Sequence, residues 1–190
     1  MASELWTWER CGTHILSLKN RLGFADTICF LKYCINDNGT VHDKLNETQA
    51  SDHETLYWML THYAQGKETP LTGELVPFDK LPGGYAFFGA FRHLTIDPLV
   101  DAFGERIEDF ERCCLYFHGT KCSFGDISFQ VHALPLIPLT IVLWEKTEEF
   151  PPRCSFFYDK SASNYLPTED LAHLGELLSL RLREVQRVIL

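Results

Sequence analysis

Apolar and polar residues alternate cleanly over residues 126–132, where Ile127, Phe129 and Val131 fall to one side and Ser128, Gln130 and His132 to the other. That is the period of a strand with one buried face. Residues 138–144 are almost wholly apolar, as in a central strand covered on both faces, and 153–158 predict a third strand. Helical spacing dominates the end of the chain. Leu171, Leu174, Leu178, Leu182, Val185 and Ile189 form one stripe over 168–189, with Thr168 as cap and Glu169 and Asp170 at the positive end of the helix dipole. An earlier stripe of Leu56, Met59, Leu60 and Tyr63 follows the capping-box spacing of Ser51 and Glu54 and stops at Gly66. Shorter helices are expected over 96–103, where Pro98 suits a first turn, and over 105–117, ended by Gly119. Residues 26–35 read as one strand, with a turn at Asn36-Asp37-Asn38-Gly39 and a partner strand over 40–44. Residues 73–84, with Pro77, Pro82 and the LPGGY run, are expected to be irregular.

The order hairpin, helices, strands, helix predicts an α+β fold: a mostly antiparallel or mixed sheet covered by helices. Strands do not alternate with crossover helices as a doubly wound sheet requires. With 190 residues, one domain spanning 1–190 is expected, large enough to bury roughly two thirds of the surface its unfolded chain exposes.

Seventeen Lys and Arg against 26 Asp and Glu give a formal charge of −9, which repels a phosphate backbone and argues against nucleic acid as a partner. Arg181, Arg183 and Arg187 read as the solvated face of the last helix. The longest apolar stretch, 131–144, is interrupted by His132, Pro135 and Pro138 and falls short of the ~20 residues a membrane helix needs. The first residues lack the basic start and apolar core of a secretory signal, so a cytoplasmic location is expected. Seven cysteines, an odd number with no CxxC pair, favour reduced thiols packed as small hydrophobes, without bound metal.

Phosphate-loop, dinucleotide, zinc-protease and serine-hydrolase motifs are all missing. Gly83 and Gly84 either make a tight turn or let backbone amides approach a ligand. Arg92 offers a fork for a carboxylate or phosphate and His93 a proton near neutral pH; a plain surface pair is the competing reading. Cys114, His118 and Cys122 are spaced as soft metal ligands but match no common zinc pattern. Between the last strand and last helix stand Asp159, Ser161, Tyr165 and Glu169, residue types common both in binding loops and in ordinary turns. A Ser161 nucleophile activated by His173 is a further pairing on paper, set against the ordinary turn role of such a serine. These features combine into one expectation. A pocket between 81–93 and 157–170 binds a small anionic molecule or cofactor through Gly83, Gly84, Arg92 and Ser161, with Trp144 and Tyr165 packing on its ring or apolar part. An enzyme with Asp159 or Glu169 as base and His93 as acid is the alternative, and a structural or adaptor protein a third.

The runs LPGGYAFFGAFRH from Leu81, SFGDISFQVHALPLIPLTIVLWEKTEEFP from Ser123 and FYDKSASNYLPTEDLAHLGELL from Phe157 resemble the prokaryotic family catalogued as domain of unknown function 3786, found mainly in anaerobes. The resemblance extends over about 11–183. It implies a cofactor-linked role in anaerobic metabolism beside corrinoid or iron–sulfur protein partners, and it names no cofactor. The positions it carries over are Gly83, Gly84, Arg92, Asp126, Trp144, Asp159, Ser161, Tyr165 and Glu169. Family members with a cysteine-rich segment differ from this chain, whose cysteines form no close run of four.

Overall fold

The computed structural model of the protein describes residues 6–51 and 53–189. The fold is α+β, and both of its sheets are antiparallel throughout. The larger comprises β5 (Leu75–Pro77), β6 (Thr120–Cys122), β7 (Ile127–Leu134), β8 (Ile137–Trp144) and β9 (Arg153–Asp159), in the order β5-β9-β8-β7-β6. The apolar run of β8 is thereby explained: it is the middle strand, buried along nearly its whole length. Register aligns Ile127, Phe129 and Val131 with Leu143, Ile141 and Leu139, and those in turn with Cys154, Phe156 and Tyr158. All nine side chains share one face because side chains alternate along each strand, and all are buried.

That face is covered by helices. The ring of Phe110 on α5 (Ile107–Tyr116) meets Phe129 edge-on at 6.0 Å. Along α6 (Thr168–Ile189), Leu171, Leu174, Leu178, Leu182 and Val185 are fully buried, and Ile189 alone of the predicted stripe emerges into solvent. Between the strands, the chain expected to be irregular at its glycine pair instead begins a helical rod. It consists of α3 (Gly84–Phe91), a π turn (Arg92–Ile96) and α4 (Asp97–Phe103). The wide turn lies just before Pro98, whose ring nitrogen has no hydrogen to give the preceding turn.

The smaller sheet corrects two expectations. Residues 26–35 are not one strand, because Leu31 and Lys32 take left-handed conformations with φ of 45° and 68° and fold the run into β1 (Ile28–Phe30) and β2 (Tyr33–Ile35). Left-handed pairs match the twist of a two-residue hairpin, yet neither residue advertises the turn, and each conformation costs on the order of 1 kcal/mol or more. The expected Asn36–Gly39 turn then leads to β3 (Val41–Asp43), which β4 (Thr48–Gln49) flanks. Cys29 and Cys34 stand opposite each other one step from the new turn, with Cα atoms 4.2 Å apart, and are joined as a disulfide. The expectation that every cysteine is a reduced thiol therefore fails at this pair; the hairpin supplies a proximity that spacing alone concealed.

α1 (Trp8–Leu16) and α2 (His53–Tyr63) pack on each other beside this sheet. Leu56, Met59, Leu60 and Tyr63 of α2 are buried as their spacing predicts. The capping-box expectation runs through residue 52, which lies outside the described residues. The Tyr63 hydroxyl donates to the Leu22 carbonyl and accepts from the Leu136 amide, tying α2 to the β7–β8 turn.

Arg181 is a further correction. It is not on a solvated helix face but 0 % exposed. Its guanidinium grips Asp43 with bonds of 2.7 and 2.9 Å, donates to the Leu31 carbonyl at 3.0 Å and to Glu184 at 2.6 Å, and lies 4.2 Å from the Tyr33 ring centre. Burial opposes the charge, but these acceptors outweigh it and hold the guanidinium pKa above its ordinary value. Likewise, burial pushes the Asp43 carboxyl up, and hydrogen bonds from Arg181, Asn46 and the Leu45 amide pull it below its usual range.

Two stability measurements follow. Leu178→Ala should cost about 2–5 kcal/mol in equilibrium denaturation; a loss under about 0.5 kcal/mol would mean the site collapses freely. Arg181→Met should cost about 3–5 kcal/mol because it strands the buried Asp43 charge, and adding Asp43→Leu should recover much of that loss. A double variant no more stable than Arg181→Met alone would show that the pair is not a coupled unit.

Candidate functional site

β5 pairs only with the Phe157–Asp159 end of β9, so on that side the Arg153–Phe156 edge has no strand beside it among the described residues. The ladder stops at Pro77, which cannot donate, and the chain turns away through a 3₁₀ turn, Phe78–Lys80. The helical rod packs here instead of a strand. Phe91 stacks on Phe78 at 4.0 Å and meets Phe156 edge-on at 5.8 Å. Between rod and sheet edge lies an open groove of about 560 Å³, within the range of small-molecule sites. Its helical wall includes Phe88, Arg92 and Ile96; its strand wall includes Trp144, Arg153 and Phe156. Both ends of the π turn thus reach the groove. The Arg153 guanidinium lies 5.2 Å from the Trp144 ring centre. Arg92 Nε is 3.2 Å from Asp97 Oδ1, an exposed pair that holds the fork loosely.

The two segments expected to form a pocket do touch: the Thr168 hydroxyl donates to the Pro82 carbonyl at 2.6 Å, so it serves the glycine turn rather than capping its own helix. Their side chains diverge from there. Arg92 and Trp144 share the groove, whereas Gly83, Gly84, Asp159, Ser161, Tyr165 and Glu169 are not among its lining residues. Gly83 takes φ of 77° in the turn, and a Cβ on Gly84 would sit 2.0 Å from the Phe78 carbonyl oxygen, so this glycine pair closes the backbone onto itself. Asp159 accepts from the amides of Thr72, Gly73 and Ser161 and from the Thr72 hydroxyl. Burial alone would raise its carboxyl, but the Ser161 side chain and the amides of Thr72, Ser161 and Gly73 carry it down to about 2. Such a carboxylate anchors the Thr72–Gly73 loop and is a poor base. Ser161 is buried, and His173 meets Trp58 edge-on and Glu176 at 3.4 Å. Tyr165 donates to the Thr69 carbonyl and accepts from its amide. His93 and Glu169 are exposed, and Asp126 accepts from the Glu145 amide at 2.9 Å.

The C-x3-H-x3-C residues also separate: Cys114 is in the core, His118 takes a left-handed φ of 58° after α5, and Cys122 lies on β6. Among the described residues no three His, Cys, Asp or Glu side chains gather as metal ligands.

One pair escaped sequence reasoning. His62 Nδ1 lies 2.6 Å from the buried carboxyl of Asp170, 108 positions away. Burial raises the Asp170 carboxyl, with the His62 contact opposing it. His62 and Tyr165 line a separate depression of about 370 Å³.

The chain matches the family described as Domain of unknown function (DUF3786) over residues 19–181. It belongs to the DUF3786 family. The match takes in both sheets and the groove walls of this DUF3786 protein, along with Arg181 at its limit. Neither a curated protein nor a solved structure matches the chain.

Because the Asp159 carboxyl is depressed from an ordinary value near 3.8 to about 2, the unfolded chain binds more protons than the native one between those values. Its stabilisation is therefore present above about pH 4 and lost as pH falls through 2. Asp159→Asn should cost about 1.5–3 kcal/mol at neutral pH and flatten the acid decline between pH 4 and 2, measured by denaturant midpoints. Parallel acid profiles for variant and wild type would contradict this.

Proposed function

We propose that this DUF3786 protein binds a small molecule or cofactor in the groove between the α3–α4 rod and the open edge of β9. The observation that carries the reading is that a π turn, an interrupted sheet edge and two guanidinium groups meet at one groove, with Asp79 and Asp97 also in its lining. π turns in otherwise α-helical segments recur at functional sites. The ligand's ring or apolar body would lie against Phe88 and Trp144. An anionic group would draw Arg92 from Asp97 and engage Arg153. On the resemblance, the ligand would be a cofactor of anaerobic metabolism, and the partner a corrinoid or iron–sulfur protein. The net charge of −9 supports partners other than nucleic acid. Among the described residues no helix is long and apolar enough to cross a membrane; a cytoplasmic site of action belongs to the same proposal.

A second reading, an acid–base enzyme, is favoured by one observation: Asp170 orients His62 as catalytic carboxylates orient histidine. It replaces His93, Asp159 and Glu169 as the residues to test.

Calorimetric titration with corrinoid, haem, flavin and small carboxylates should find one binder. Arg92→Ala and Arg153→Ala should each weaken it by about 1.5–3 kcal/mol, roughly ten- to a hundredfold, while His62→Ala leaves binding unchanged. A ligand bound equally well by both arginine variants would sink the groove assignment.

A further inference from the structure

Beside the smaller sheet, the disulfide opens on a groove of about 460 Å³. Besides Cys29 and Cys34, the groove is lined by Lys32, Lys44, His118 and His132. In a chain of charge −9 this is a local concentration of basic side chains, and among the described residues no carboxylate lines the groove with them. Cys29 is half-buried and Cys34 nearly covered, so Cys29 is the more accessible residue of the pair and the one assigned to meet an incoming reagent. His132 Nδ1 donates to the Pro135 carbonyl at 2.9 Å, which makes Nε2 the proton-accepting nitrogen of the neutral ring. The surrounding backbone is anchored independently of the sulfurs. Leu31 O is held by Arg181, and Lys32 O accepts from the Lys44 amide at 2.9 Å. Opening the disulfide therefore leaves the hairpin in place.

The geometry points to a thiol–disulfide exchange site at Cys29–Cys34 that takes small thiols bearing carboxylates as its redox substrate. The thiolate of the first substrate attacks Cys29 Sγ. The S–S bond breaks, and Cys34 leaves as a thiolate beside the lysines, which favour the anion. A second substrate thiolate then attacks the substrate sulfur of the mixed disulfide and releases Cys29. Two thiols become one disulfide, and the protein gains two electrons and two protons as a dithiol. The reverse reaction re-forms the protein disulfide with the substrate disulfide as oxidant. Lys32 and Lys44 select the carboxylates, and the groove has the size of a small molecule rather than a protein surface. Three of the buried free thiols are unsuited to this role: burial pushes Cys113 up to about 12 and raises Cys114 and Cys154 as well.

The test compares mercaptosuccinate with the cationic thiol cysteamine at equal thiolate concentrations on the folded full chain. Opening is read by acid quench, alkylation and mass spectrometry of the Cys29–Cys34 peptide. Mercaptosuccinate should open the bond at least about tenfold faster, an advantage that shrinks with salt. Lys44→Glu, at an exposed position, should abolish the preference while far-UV circular dichroism stays unchanged. Cys34→Ser, with Cys29 a free thiol, should attack the disulfide of mercaptosuccinate, release one mercaptosuccinate as thiol and hold the other on Cys29 as a stable mixed disulfide. Protein isolated with the pair reduced should be oxidised by the disulfide of mercaptosuccinate. A pair inert in both directions, equal rates with the two thiols, or a preference that survives Lys44→Glu would each overturn the assignment.

Discussion

The guanidinium of Arg181 is wholly withdrawn from water, and withdrawing a charge costs several kcal/mol that only a complete set of partners can offset. Those partners come from separate pieces of chain: Asp43 on β3, the Leu31 carbonyl in the β1–β2 turn, the Tyr33 ring on β2, and Glu184 one turn along the same helix. The arginine works as a gauge because a displacement of any one piece would leave a donor or the Asp43 carboxylate unpaired in a dry site. The small sheet is thereby fixed to α6, and the leucine stripe of α6 is in turn packed over the large sheet. One buried charge thus locates the two sheets relative to each other, through elements that lie 138 positions apart in the chain. The hydrophobic core around it supplies the bulk of the stabilisation without comparable direction.

Away from this joint, chain-terminating details shape the surface. β5 is short because Pro77 ends its ladder, and the helical rod fills the space beyond with a turn widened ahead of Pro98. A sheet edge that would otherwise invite another strand becomes the wall of a groove. Asp159, at the other end of the same strand, has a structural role, since its carboxylate gathers the loop that brings β5 alongside β9. The groove wall and the structural anchor sit within a few residues of each other on β9, separated by which end of the strand β5 covers.

The cysteines divide in the same manner. Cys113, Cys114 and Cys154 lie against the sheet core, where burial keeps the thiol protonated and inert. Cys29 and Cys34 face each other across a hairpin at a rim of basic side chains. The same residue type is thus a buried thiol against the large sheet and a disulfide at a basic groove beside the small one.

What the sequence determined by itself was everything governed by local period. The alternation at Ile127–Val131, the covered run of β8 and the α6 stripe specified three strand and helix assignments, because burial on one face imposes a period of two or 3.6 wherever the face is continuous. The Asn36–Gly39 turn was legible for the same local reason. Pairings across long stretches of chain were not. Arg181 reads as solvated because a helical arginine carries no local mark of a distant Asp43, and the His62–Asp170 pair is equally silent. The Leu31–Lys32 turn was hidden because a left-handed backbone was imposed on residues that do not favour it, with the Leu31 carbonyl held by Arg181 from another element. Of the proposed site residues, Arg92 and Trp144 come together, while Asp159 and Tyr165 turn to backbone partners and Ser161 is buried away from the groove. Only tertiary structure decides this, since whether a polar side chain meets solvent, ligand or its own chain depends on which edge remains uncovered after the sheet has formed.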